Sequence, residues 1–380
     1  MRAIAQAVLV TASFVFGIGQ PSAATFTVVT GALVGGFTPP TGCNFKLDGD
    51  IQPGDLAKLA SARAQVEQLI ARRLGNDASM AEQWKANSPV LCLNSRGGNF
   101  AEGLRIAKFL MNDVDGTVTT YVMNRAECYS ACGLIFLAGQ IHDRGGEDYP
   151  SRYLHVGGRL GFHAPYLVEP AEPDDQKKYS RRDMANVFKL AIRSVTDAIE
   201  LFDRRTRGGP GLNDDNRPWV NASLFIEMLR KGPDELFAID TVGKSGRWGI
   251  NLVGVKEVGV LNTKALQRAC DNVYSREGDS EAMSEEEQLY FKPLPPSDPV
   301  FNRLKRVKGV SLFEFQVVRS YNYCAVQAAS SPTPKVENLI IKLYRGQSPD
   351  NLDLSNGGYE VPLWAAAFLP STPLRNLLGK

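Results

Sequence analysis

The feature that most constrains the fold is a succession of short apolar runs, each ending in a small-residue turn that opens into an amphipathic stretch. "PVLCLNSRGG" ends in Gly97 and Gly98, and "NFAEGLRIAKFLMND" follows with Leu104, Ile106, Ala107 and Leu110 on one helical face. "GTVTTYVMN" then leads through "CYSACG" into "LIFLAG". Upstream, "NFKLDGDIQPGD" reads as a strand entering a turn. Residues 55 to 75 place Leu56, Leu59, Ala62, Val66, Leu69 and Ile70 at helical spacing, with Asp55 as cap and Gly75 as stop. Strands separated by helices of this length favour a mostly parallel sheet covered by helices, because parallel neighbours require a long crossover.

The same alternation continues through "YLHVGGRLGFHAP", a polar then helical stretch from about Asp175 to Arg207, and the helix "NASLFIEMLRK". The first domain is expected to close near Val260. Beyond it, proline-rich joints such as "FKPLPPSDP" and the strand-like runs "LFEFQVVRSYNYCAVQ" and "NLIIKLYRG" point to a small β-rich C-terminal module. The N-terminus reads as a bacterial-type signal peptide: an early arginine, an apolar stretch from about Ala3 to Ile18, then Pro21, Ser22, Ala23 and Ala24, with cleavage near Ala23 or Ala24. The expected divisions are therefore 1–24 signal, 25–260 main domain and 261–380 C-terminal module, in a periplasmic or secreted protein without a membrane span after signal removal.

A net charge of +2 with interspersed signs gives no polybasic footprint, so no nucleic-acid partner is expected. Six cysteines in an exported chain form an even set that an oxidising compartment tends to pair. Cys270 with Cys324 is the first choice, since both lie in the C-terminal region, and Cys43 and Cys92 each sit on or beside a strand. Cys128 and Cys132 are one helical turn apart, at a Cα separation of roughly 6 Å that admits either a disulfide or two packed thiols. CxxC spacing is absent, and His142, His155 and His163 form no HxxxH pair, so no metal site is expected.

Three stretches carry residues able to do chemistry. "NSRGGNFAEG" follows a strand and opens a helix, which leaves backbone N–H groups facing outward beyond the sheet; an ordinary tight turn is the plainer reading. Ser130, between a strand and a helix, is either an exposed hydroxyl or an N-cap. His163 in "LGFHAP" stands where a strand ends before a proline, and an imidazole there can take a proton from a hydroxyl and return it to a leaving group.

The order of "LNSRGGNFAEGLRIAKFL", "CYSACGLIFLAG" and "GRLGFHAP", with a weaker tail in "ELFAIDTVGKSGRWGI", resembles the ClpP/crotonase superfamily, most closely ClpP-type serine proteases and their exported bacterial relatives. The resemblance covers roughly residues 43 to 258. It implies an α/β spiral of strand-strand-helix repeats and a Ser-His-Asp hydrolase, with Ser130 as nucleophile, His163 as general base, and the N–H groups of Gly98 and Ala131 as the oxyanion hole. Arg96 stands where the family usually has a proline. The third triad position falls on Asp234, with Glu235 and Asp240 as alternatives. No cofactor is implied. The expected function is an ATP-independent peptidase acting on peptide or unfolded protein, in a homo-oligomer. The other readings are a non-catalytic scaffold or binding protein of the same fold, and a crotonase-like acyl-transfer enzyme.

Overall fold

The computed structural model describes residues 23–29, 39–74, 88–112, 117–142, 148–166, 180–203, 205–206, 217–232, 234–258, 261–277, 279, 292–295, 297–300, 310–317, 320–328, 338–345 and 359–379. Nearly all of the expected signal segment, apart from Ala23 and Ala24, lies outside these residues. In chain order the first elements are β1 (Thr25–Val28), β2 (Phe45–Asp48), α1 (Asp55–Leu74), β3 (Val90–Asn94), α2 (Phe100–Asn112), β4 (Thr119–Val122), β5 (Glu127–Tyr129) and α3 (Ala131–Leu137). A short pair, β6 (Gln140–His142) and β7 (Asp148–Pro150), precedes β8 (Arg152–His155) and β9 (Arg159–Phe162). Then come α4 (Arg181–Phe202), the short pair β10 (Arg205–Thr206) and β11 (Arg217–Pro218), α5 (Ala222–Leu229), β12 (Phe237–Ala238), α6 (Val242–Arg247) and β13 (Asn251–Val253). The C-terminal stretch holds α7 (Thr263–Glu277), β14 (Lys292–Pro293), β15 (Val310–Val317), β16 (Ser320–Ala328), β17 (Asn338–Arg345), β18 (Tyr359–Pro362) and α8 (Leu363–Ala367).

The protein is mixed α/β. Its main sheet has the order β1-β2-β3-β4-β8-β13, with β1 antiparallel and every other pairing parallel. β4 is buried at every position and β3 at all but Asn94, which is what a strand covered on both faces requires. α1 buries Leu59, Ala62, Val66 and Ile70, and α2 buries Leu104, Ile106, Ala107 and Leu110, the faces that helical spacing marked out. A second, small sheet of order β12-β9-β5 carries the candidate site.

The starts of α1 and α2 are tied together. Asn99 Oδ1 accepts the Glu102 N–H at 2.8 Å and so caps α2. Glu102, only 1% exposed, turns its carboxylate to the other helix and accepts the N–H groups of Gly54 at 3.1 Å and Leu56 at 2.8 Å. These are donors that the first turn of a helix cannot satisfy internally.

Three disulfides join Cys43 to Cys92, Cys128 to Cys132 and Cys270 to Cys324, with Cα separations of 5.6, 5.2 and 6.1 Å. They fit an exported protein in an oxidising compartment. Among the described residues no helix is long and apolar enough to cross a membrane.

The C-terminal stretch forms an antiparallel sheet, β14-β15-β16-β17-β18, against α7. It is also sewn to the preceding part. Asp279 holds Ser223 and Arg247, and the final residues return to give Leu374 N–H to Asp240 O at 2.8 Å and to accept Lys256 N–H at Leu377 O at 2.8 Å. Leu374 and Leu377 are buried in the same core as the main sheet.

Two outcomes follow. Replacing Glu102 by Ala removes a buried carboxylate that accepts the partly exposed Gly54 and Leu56 N–H groups, and chemical denaturation should register a loss of about 1–2 kcal/mol. His155 accepts the Gly157 N–H through Nδ1 at 3.0 Å, and burial holds its pKa below the usual 6.5. The neutral form is the one the fold favours, so this contribution is complete above pH 6.5 and is lost as pH falls through the lowered value. Melting temperatures taken from about pH 7.5 down to about pH 5 should fall, and His155→Gln should flatten part of that fall.

Candidate active site

Ser130 lies at the centre of three adjacent segments. On one side, residues beyond β3 pair with β5: Ser95 N–H donates to Glu127 O at 2.7 Å and Tyr129 N–H to Ser95 O at 3.1 Å. On the other, β5 runs parallel to β9, with Tyr129 opposite Gly161, and Ser130 N–H donates to Gly161 O at 3.1 Å. The Arg96-Gly97-Gly98 turn therefore continues from one neighbour of Ser130, and Phe162-His163 from the other.

The local backbone is built around that serine. Ser130 has φ 55° and ψ −121°, a conformation that costs a residue with a Cβ about 1–2 kcal/mol. It immediately precedes α3, but its hydroxyl makes no capping hydrogen bond. What remains at the turn is a half-buried serine side chain and the first N–H groups of α3, Ala131 foremost, without intrahelical partners.

Gly97 and Gly98, at φ 107° and 125°, come closer than any side chain permits. A Cβ on Gly97 would stand 2.7 Å from Ser130 Cβ, 2.8 Å from Tyr129 O and 3.3 Å from Ala131 N. A Cβ on Gly98 would stand 2.3 Å from Ile51 O. Ile51 N–H donates to Gly97 O at 2.7 Å and Asn99 N–H donates to Ile51 O at 2.8 Å, so the polar groups of Gly98 face away from Ile51. Ser95 Oγ accepts the Gly97 N–H at 3.1 Å and fixes the turn from inside. Ala131 is held from the far side by α2, since a Cβ on Gly103 would lie 2.9 Å from its Cβ.

His163 is 7% exposed, one residue past the end of β9. Its Nδ1 lies 2.7 Å from Ala164 O. A carbonyl only accepts, so Nδ1 carries a proton, and the tautomer this selects has its lone pair at Nε2. Tyr166 packs on the ring at a centroid distance of 5.1 Å. Neither Ser130 Oγ nor His163 Nε2 has a hydrogen-bond partner among the described residues, and the two are not bonded to each other.

The structure brings the expected loop to His163 but not the expected carboxylate. Ala164 N–H donates to Lys231 O at 3.2 Å and Phe237 pairs with Phe162, so Lys231 and Phe237 are held next to the segment that carries the histidine. Asp234 is exposed and makes no hydrogen bond to the imidazole, whose Nδ1 is taken by Ala164. Glu235 pairs with Lys231 at 3.5 Å and Asp240 with Lys244 at 2.7 Å. A backbone carbonyl stands where the carboxylate was expected, and no side-chain motif encodes that. The role of Ser95 did have a signal, because a serine opening "SRGG" can bond its own turn.

Around the serine the surface is polar. Glu127 accepts Arg96 Nε at 3.2 Å and Arg159 at 2.8 Å, and burial together with the Glu127 charge pushes the Tyr129 phenol up. Arg96 is exposed and belongs to this ion-pair cluster. Among the described residues, no group of three His, Cys, Asp or Glu side chains is placed to hold a metal ion. A cleft of about 310 Å³ between Lys256, Lys264, Arg268 and Phe368 contains none of the site residues.

No family model matches the chain, and a search of curated proteins finds no match.

The contact between Gly97 and Ser130 carries its own check. Gly97→Ala should displace Ser130 or force the turn open, so a serine-directed phosphonate probe that labels the parent protein should label this variant at least about a hundredfold more slowly, because the donor N–H groups lose their alignment. Far-ultraviolet circular dichroism should remain that of a folded protein.

Proposed function

We propose that the protein is a serine hydrolase, acting as a peptidase on extended peptide or unfolded protein without ATP. The observation that carries the reading is the bracketing of Ser130: the Gly97-Gly98 turn packs on one side of it and the strand leading to His163 hydrogen-bonds to its backbone on the other. The succession of parallel strands, glycine turn and covering helices supports a ClpP/crotonase-like spiral as its frame. The exposed apolar Phe188, Leu190 and Ile192 of α4 support self-association.

In this reading Ser130 Oγ turns toward Nε2 of His163 when substrate arrives and passes its proton there as it attacks the carbonyl carbon. The negative charge that develops on the carbonyl oxygen is met by the N–H groups of Gly98 and Ala131, each worth on the order of 3 kcal/mol in such a setting. His163 then gives the proton to the leaving amine, and water releases the acyl group by the reverse sequence. Ala164 O holds the ring in the tautomer this needs. Exposed Leu236, beside Gly161, and exposed Tyr166, tilted against His163, offer apolar surface for a substrate side chain.

One observation favours a non-catalytic scaffold instead: among the described residues no hydrogen bond joins Ser130 to His163 and no carboxylate bonds the imidazole. Apo sites often tighten only with substrate, so the decision rests on reactivity. A fluorophosphonate should label Ser130, read by peptide mass spectrometry, and Ser130→Ala should abolish the label. His163→Ala should slow labelling by about a thousandfold or more. Because Nδ1 already has its partner, Asp234→Asn should change the rate by less than about threefold. A well-folded protein that takes no label would assign it to the scaffold class.

A further inference from the structure

The Cys128–Cys132 disulfide closes a loop whose middle residue is Ser130. Its two ends are fully buried, one in β5 and the other in the first turn of α3, with a sequence separation of 4. The other two disulfides span separations of 49 and 54. In the chain-entropy account, stabilisation grows with the logarithm of loop length, so the short bridge contributes about half of what either long one does. A gain in global stability is therefore a weak explanation for a bridge at this place. The local consequence is larger. Ser130 is held at φ 55°, which residues with a Cβ leave unless the surroundings forbid it, and the bridge ties the residue two before it to the residue two after it.

We infer that this disulfide is the positioning element of the site: it keeps Ser130 at its strained turn and Ala131 N–H aimed with it, and the reduced chain is inactive until the bridge forms. The inference rests on the serine-hydrolase reading above. Closure takes two thiols to one disulfide, releasing two protons and two electrons, and the electrons reduce a disulfide oxidant to its two thiols. An exported chain meets such oxidants outside the cytosol, so hydrolytic activity would switch on after export.

The test compares fluorophosphonate labelling of Ser130 in the oxidised protein, in Cys128→Ala/Cys132→Ala and in Cys43→Ala/Cys92→Ala, with melting temperature measured for each. The expected result is a labelling rate at least about tenfold lower in the first double variant, with a fall in melting temperature smaller than that of the second. The second should melt lower yet label, while folded, within about twofold of the parent. Wild-type protein reduced under native conditions should likewise slow in step with opening of Cys128–Cys132, and recover on reoxidation with oxidised glutathione, the state of each bridge being read by alkylation and peptide mass mapping; this arm decides the matter if the first variant does not fold. Wild-type labelling with an unchanged rate in Cys128→Ala/Cys132→Ala, or an equal slowing in both variants, overturns the positioning role and leaves the hydrolase reading standing. No labelling of oxidised wild-type protein removes the hydrolase reading, and this inference with it.

Discussion

The rest of the site depends on one close approach, the absence of any Cβ at Gly97 and Gly98. Those two positions let the end of β3 touch Ser130 on one flank and the Ile51 backbone on the other. Ile51 in turn leads into the turn before α1, and Asp55 accepts the Gln52 N–H at 2.7 Å within it. Glu102 then locks the start of α1 to the start of α2. A single line of contacts thus runs from Ser130 through two glycines to the caps of two helices. Ile51, Gly97, Asp55 and Glu102 along it are buried with hydrogen-bonded polar groups, so disturbing one of these leaves a donor or carboxylate stranded at a cost well above that of an exposed ion pair. The Arg96–Glu127–Arg159 cluster nearby is the opposite case: two exposed guanidiniums around one carboxylate, worth little to stability.

Much of this was legible in the chain because it is written in periodicity and residue type. The apolar spacing of residues 55 to 75 marked a helix that runs Asp55–Leu74, and the stretch from Asp175 to Arg207 contains the helix Arg181–Phe202. "LFEFQVVRSYNYCAVQ" became the hairpin of β15 and β16. Cys43 and Cys92 were expected beside strands, and they bridge β2 and β3, which run side by side. The spacing of Cys128 and Cys132 admitted both bridge and free thiols on the premise of one helical turn; in the structure Cys128 is in strand β5 and Cys132 in helix α3, and the turn at Ser130 brings their Cα atoms to 5.2 Å.

What could not be read was direction. Sequence put Asp234 and Glu235 near His163, and the loop does run there, but whether a side chain points inward depends on the turn around Gly232, where Glu235 N–H bonds back to the Gly232 carbonyl. The partner of the imidazole is a backbone carbonyl, and every residue has one. The closing of the C-terminal tail onto Asp240 and Lys256 was equally invisible, since isolated bridges such as Thr241 with Pro373 follow no repeating pattern. The sequence marked a small β-rich module at 261–380; the hydrogen bonds of its tail and the burial of Leu374 and Leu377 join that tail to the main sheet's core.

Under the proposed reading, a carbonyl in place of a carboxylate shifts where catalysis must come from. A full negative charge about 4 Å from an imidazolium is worth roughly 4 kcal/mol at an effective dielectric of 20, and a neutral carbonyl dipole supplies only a fraction of that. Ala164 O can set the tautomer of His163 but does little to stabilise the charged ring that forms when Ser130 gives up its proton. The remaining stabilisation has to act on the oxyanion, which makes the alignment of Gly98 and Ala131 N–H groups the dominant requirement. The distribution of constraints matches that demand: Ser95, Ile51, Gly103 and the Cys128–Cys132 bridge all bear on the donor side, while among the described residues the imidazole has one hydrogen bond and the tilted ring of Tyr166.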